Sequence, residues 1–276
     1  MVTTETEDGI RLDGAWIRPA DGPARPIAIV WVHGGGTNFY HPSYLRIGRG
    51  LAVRHYAFIT GNTRGHDYGA WNDRARDEPL LGGVAWEHLE ESPTDVAAWI
   101  DFAVAHGFRR VALVGHSLGA LKVTAYQAGH QDYRASGLGI CSPPLRPRWN
   151  TRAYPDVLAR AEQLVADGRP EQLLRGPDWW IPLSAQTWLS TDRFDLDQFG
   201  REHPAPPVAQ VRCPLLALCG TEEPDTCLAE DLEVIRRNAI AAPRIECHVI
   251  EGADHFYTGH ELHVAEVIAM WVDTLA

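Results

Sequence analysis

The stretch Val111-Ala112-Leu113-Val114-Gly115-His116-Ser117-Leu118-Gly119-Ala120 (VALVGHSLGA, 111–120) holds the pattern G-x-S-x-G, directly after an apolar run and directly before a helical one, LGALKVTAYQAG. A strand turning sharply into a helix holds its turn serine in a strained conformation, and glycines two residues to either side let neighbouring backbone approach. Ser117 Oγ is then exposed at the carboxyl end of a sheet, near the positive end of the next helix. The competing reading is a serine that only caps that helix. The order of strand, turn and helix favours a nucleophile.

Working outward, short apolar runs alternate with amphipathic ones, the pattern of strands interleaved with helices in a largely parallel sheet. The runs 27–32, 56–60, 110–115, 137–140, 214–220 and 245–252 are short, apolar and mostly β-branched or aromatic. They are predicted as parallel strands covered on both faces. Residues 2–19 read as two strands joined at Asp8-Gly9, an antiparallel edge. A helix is predicted from Ser92 as N-cap, with Pro93 at its first position and Asp95 in its first turn, to Gly107. Val264, Val267, Ile268, Trp271 and Leu275 form the buried stripe of a last helix near 259–275.

Residues 142–207 break the alternation with Pro-rich flanks, a helical stretch at 157–174 and a cluster of tryptophans. About 65 residues make a marginal core, so this segment reads as a helical cap inserted between core segments 1–141 and 208–276.

Four motifs, IAIVWVHGGG (27–36), NTRGH (62–66), GHSLG (115–119) and GADH (252–255), occur in the order found in α/β-hydrolases, which the chain resembles over about 25–141 and 208–276. The resemblance implies a mostly parallel eight-stranded sheet flanked by helices. It also implies a nucleophile, acid, histidine triad in that chain order. His33-Gly34-Gly35-Gly36 resembles the HGGG loop of lipases and esterases, which supplies one oxyanion donor beside the N–H of Leu118; Gly35 is favoured, with Gly36 next. Neither phosphate-loop pattern is present, and His33 is expected to brace the loop.

His255 is expected as the base, because it follows the 245–252 strand where the resemblance puts the catalytic histidine. His66, His248, His260 and His263 are less well placed. The acid belongs in GTEEPDT (220–226). The family's spacing, three residues past the strand-ending glycine and often before proline, gives Glu223 from Gly220. Asp225 is the rival, with helix N-capping as its alternative role, and Glu222 is expected to face solvent. Trp71, Trp86, Trp149, Trp179, Trp180 and Trp188 are candidates to wall an apolar pocket, each with ordinary packing as the alternative.

These expectations converge on a serine hydrolase acting on an ester or lactone of a bulky hydrophobic or aromatic small molecule. Thioester, amide, C–C or acyl-transfer chemistry by the same triad, and a non-catalytic binding protein on this fold, remain the alternatives. Haloalkane and epoxide chemistry is disfavoured, since those relatives use a carboxylate where this chain has Ser117. NTRGHDYGAW (62–71) and LLGGVAWEHLEES (80–92) also resemble bacterial relatives of a group that includes fungal siderophore esterases, which points towards secondary metabolites.

The net charge of −11, without a cluster of Lys or Arg, argues against a nucleic-acid partner. No basic-then-apolar leader and no run of about 18 apolar residues is present, so a cytoplasmic protein with no membrane association is expected. The five cysteines have neither CxxC spacing nor scaffold density and are expected to be reduced. No cofactor motif, metal site or oligomer surface is legible.

Overall fold

The computed structural model describes residues 1–146 and 151–275. Its main sheet has eight strands: β1 (Val2–Glu5), β2 (Arg11–Ile17), β3 (Ile27–Val32), β4 (Phe58–Gly61), β5 (Arg110–His116), β6 (Ala135–Cys141), β7 (Leu215–Gly220) and β8 (Ile245–Ile250). Their spatial order is β1-β2-β4-β3-β5-β6-β7-β8. The β1–β2 and β2–β4 pairs are antiparallel, and the others are parallel. Burial follows from position. Interior strands β3 and β7 are buried at every residue, whereas edge strand β1 alternates between half-buried and exposed, as a strand with one wet face should.

Alternate residues of β3 serve opposite faces of the sheet. Ile27, Ile29 and Trp31 pack with α1 (Pro42–Val53) and α7 (Glu261–Asp273) through Ile47, Leu51, Val264 and Ile268. Ala28, Val30 and Val32 share the cluster on the other face with Trp99 and Ile100 of α2 (Ser92–Ala105) and Leu121 of α3 (Leu118–His130), and α6 (Ala229–Asn238) adds Leu232 to it against β7. Both faces are covered, and the carboxyl ends of β3, β5, β6, β7 and β8 converge on one edge.

Between β6 and β7 the chain leaves the sheet to form α4 (Pro155–Ala166), α5 (Ala185–Phe194) and a small antiparallel pairing of 173–174 with 183–184. Its own cluster is built on Tyr154, Leu164, Trp179, Leu183 and Trp188. The helix expected over 157–174 ends eight residues early, where Gly168 takes a positive φ of 74° and Pro170 follows.

Two expected caps are corrected. Ser92 lies inside α2, because a 3₁₀ turn at Leu89–Glu91 runs into the helix and leaves Glu91 at the capping position. Asp225 lies several residues ahead of α6. That helix begins after Leu228, whose N–H donates to Asp231 at 2.8 Å.

Candidate active site

The turn at Ser117 follows from local sterics. Ser117 joins β5 to α3 with φ 54° and ψ −123°, a conformation costly for a residue with a side chain and held only where surroundings enforce it. Its N–H donates to the Cys141 carbonyl on β6 at 2.9 Å. A Cβ at Gly115 would strike the Gly119 backbone, and one at Gly119 would strike the backbone of Val32 and His33. The Leu118 and Gly35 N–H groups have no hydrogen-bond partner among the described residues, and both residues border the cavity that Ser117 borders. Gly36 does not border it; at φ 67° it serves the turn beneath Trp180.

His255 follows β8 in the GADH turn. Its Nδ1–H donates to Glu223 Oε2 at 2.7 Å. Glu223 is buried, and its Oε1 accepts from the Gly220 N–H and the Ser142 hydroxyl, each at 2.6 Å. The Tyr257 hydroxyl in turn donates to Ser142 Oγ at 2.5 Å. Ser142 and Tyr257 both hold positive φ, 45° and 59°, so three strained non-glycine residues surround this centre. Burial raises the Tyr257 phenol well above its ordinary range, so it stays a neutral donor. Asp225 and Glu222 are exposed.

Ser117 and His255 border one cavity but make no hydrogen bond to each other among the described residues. Nucleophile–base hydrogen bonds often tighten only once substrate is bound.

Sequence reading missed the connection between the glycine loop at 33–36 and His255. The Gly34 N–H donates to the Tyr44 hydroxyl at 3.3 Å, which donates to His116 Nδ1 at 2.8 Å. His116 Nε2–H donates to the His255 carbonyl at 2.6 Å. Burial, reinforced by the neighbouring His255, lowers the His116 pKa well below its usual value. The ring is therefore neutral and can accept with one nitrogen while donating with the other. His33 braces its loop in the same way, its Nδ1–H facing the Gly34 carbonyl at 2.8 Å while Nε2 accepts from the Thr63 N–H at 2.9 Å. Burial brings its pKa down to about 3. No motif marks Tyr44, which looks in the sequence like any core residue of an amphipathic helix.

The cavity has a volume of about 250 Å³ and mostly apolar walls. The segment between β6 and β7 roofs it with Pro144, Trp179, Trp180, Leu183 and Leu196. Of the five described tryptophans expected there, Trp179 and Trp180 line it. Trp71 is 69% exposed on a hairpin of 70–72 with 80–82. Trp86 packs on Tyr68 and donates to the Glu171 carbonyl, and Trp188 is wholly buried in its own segment's core. Trp149 lies outside the described residues. Among the others expected to be less well placed, His66 pairs with Asp67 at 2.7 Å, His248 is on β8, and His260 precedes α7.

A family model described as the alpha/beta hydrolase family matches residues 29–269, most of the chain. The protein is a member of the alpha/beta hydrolase family. Among solved structures this hydrolase is similar to Est1E from Butyrivibrio proteoclasticus with ferulic acid bound, at 16% identity and TM-score 0.69, covering 100% of this chain and 99% of that one. It is similar also to DcsB in complex with its substrate analogue, at 13% identity and TM-score 0.73, with the same coverage. The esterase domain of a Rhodothermus marinus protein matches at 19% identity and TM-score 0.61, over 98% of this chain and 95% of that one. At such identities the likeness is one of fold. No curated protein sequence matches the chain. Among the described residues no helix is long and apolar enough to cross a membrane.

Proposed function

We propose that this alpha/beta hydrolase is a serine esterase or lactonase working through an acyl-enzyme on Ser117, with residues 142–207 acting as its cap. The observation that carries the reading is the hydrogen bond from His255 Nδ1–H to a buried Glu223, beside a cavity that Ser117 also borders. That bond fixes the tautomer, leaving Nε2 with a lone pair to take the serine proton, and the carboxylate stabilises the imidazolium that results. Attack on an ester carbonyl creates an oxyanion, which the N–H groups of Leu118 and Gly35 stabilise; each such donor contributes roughly 10²–10³ in rate. His255 then gives its proton to the departing alkoxide. Water, activated by the same Nε2, releases the acid and restores Ser117.

The apolar walls and the size of the cavity favour a small hydrophobic or aromatic acyl or alcohol group. Esterases among the structural neighbours support the choice of bond, in the limited sense that the fold carries that chemistry elsewhere. A panel of p-nitrophenyl and alkyl esters and lactones, graded by acyl bulk, tests the proposal. Turnover by the wild type that falls at least about a thousandfold in Ser117→Ala and in His255→Ala, with melting temperature preserved, is the expected result. Hydrolysis that persists in both variants would overturn it.

A further inference from the structure

The stretches NTRGH and VAWEHLEES, which the triad does not use, meet beside the cavity. Arg64 reaches Asp95 on α2, its backbone N–H to Oδ2 at 2.8 Å and its guanidinium to Oδ1 at 2.9 Å, and thereby ties the loop after β4 to that helix. The next residue, Gly65, lies against Glu87, whose carboxylate occupies the space a Cβ at position 65 would fill. The Glu87 side chain is 1% exposed. Oε2 accepts from Lys122 Nζ at 2.6 Å, and Lys122 also donates to Thr63 Oγ1 at 3.2 Å. Oε1 is buried with no hydrogen-bond partner among the described residues, although Glu87 borders the cavity, with Val84, Leu89, Thr187 and Thr191 also in the lining.

A buried carboxylate oxygen without a donor is costly, so such atoms are rare and call for an explanation. Burial raises the Glu87 pKa, and the Lys122 ammonium at 2.6 Å opposes that shift. In a mostly apolar cavity a carboxylate on the wall is a specific point of polar recognition.

We propose that Glu87 Oε1 is a specificity-determining acceptor, and that the substrate is an ester or lactone bearing a hydroxyl, phenol or ammonium donor that it engages. The inference rests on the hydrolase reading for the reaction, but the recognition belongs to the cavity alone. Gly65 makes room for the carboxylate, Lys122 orients it, and the donor completes it. An aliphatic substrate of equal size leaves Oε1 unsatisfied and binds less well, as sites built to pair a polar group reject analogues that lack it.

The test uses matched esters of two to eight carbons ending in hydroxyl, ammonium, methoxy or methyl, with the terminal group placed on the acyl side in one series and on the alcohol side in another. The same molecules as unreactive ethers are read by their shift of the melting temperature. In the wild type, at least one length is expected to show about a tenfold or greater kcat/KM preference for a donor over methyl. The hydroxyl and ammonium arms tell which donor is used. Glu87→Gln can still accept from Lys122 through its amide oxygen and turns an NH₂ group towards the cavity, so the preference is expected to move from donor to methoxy. Should that variant fold poorly, Glu87→Gln with Lys122→Gln replaces the ion pair by an amide pair and serves in its place.

Equal rates for donor and methyl at every length, or a donor preference that survives Glu87→Gln, would overturn the proposal. If no ester is turned over, the hydrolase reading fails, and the ethers still decide. A donor-selective shift in the wild type that is lost in the variant upholds the recognition by Glu87, and equal shifts sink it.

Discussion

Glu223 meets His255 with one carboxylate oxygen, at 2.7 Å, while its other oxygen is held by the Gly220 N–H and the Ser142 hydroxyl at 2.6 Å each. The carboxylate is thus aimed from behind, and the imidazole inherits that aim. Replacing the acid while keeping its shape removes the force that selects the tautomer. Glu223→Gln is expected to lower kcat by at least about a hundredfold, against a change within about twofold for the exposed Asp225→Asn. Steady-state kinetics on both variants, with circular dichroism to verify folding, decide between them.

The support behind Glu223 is separable from the chemistry. Ser142→Ala removes one donor to a buried carboxylate and leaves the Tyr257 hydroxyl to find another partner. Hydrogen bonds to charged groups contribute about 1.5–3 kcal/mol. A loss of that size in urea-melt stability is expected, with kcat lowered about tenfold and KM nearly unchanged.

His116 and His33 are buried and held neutral, with pKa values lowered, that of His33 to about 3. In the unfolded chain both have ordinary values near ~6.5. The unfolded state therefore binds more protons as pH falls below about 6.5, and stability declines with falling pH at up to about 1.4 kcal/mol per unit for each histidine. For His33 the decline runs from its unfolded pKa down to about 3. Chemical-denaturation midpoints at pH 7, 6 and 5 are expected to fall in step. Two imidazole resonances that do not titrate down to pH 5 in the native protein would identify the groups responsible. Native resonances that titrate near pH 6.5 at both positions would contradict the assignment.

The link from Gly34 through Tyr44 and His116 to the His255 carbonyl joins the loop after β3 to the turn that carries the proposed base. Tyr44→Phe interrupts it at one atom, and burial of that phenol, which drives its pKa up to about 12, keeps the wild-type hydroxyl protonated. A fall in kcat of about tenfold is expected, with a stability loss of about 1–3 kcal/mol from the unpaired His116 nitrogen. A purely structural role would move the stability alone.

Lys122 and Glu87 form a fully buried ion pair. Removing one partner of such a pair leaves an uncompensated charge and costs about 3–5 kcal/mol, whereas replacing both by apolar groups is often close to neutral. Lys122→Met is expected to destabilise by that amount, and adding Glu87→Leu to recover most of it. A double-mutant cycle on denaturation free energies measures the coupling.

What the sequence made legible was whatever is fixed by local backbone geometry. Gly115 and Gly119 announce the turn at Ser117 because adjacent backbone leaves no room for a Cβ there. The spacing that the family resemblance implies, three residues past Gly220, points to Glu223, which is buried, rather than to the exposed Asp225. The strand runs gave the sheet because burial on both faces forces unbroken apolar stretches. Asp95 illustrates the opposite case. Read alone it is a first-turn helix acid, whereas its buried contact is with Arg64, 31 residues away. The same holds for Lys122 with Glu87 and Tyr44 with His116, pairs whose meeting depends on how helices pack on the sheet. Composition could not say which way a tryptophan faces, so Trp71, Trp86 and Trp188 were grouped with Trp179 and Trp180 although their packing differs.

The central claim, that Ser117 is a nucleophile activated by His255, is tested most directly by reacting the folded protein with a fluorophosphonate and locating the adduct by peptide mass spectrometry. One adduct per chain on Ser117 is predicted, absent in Ser117→Ala and formed at least about a hundredfold more slowly in His255→Ala. A folded wild-type protein that stays unlabelled, or that carries its adduct on another residue, would contradict it.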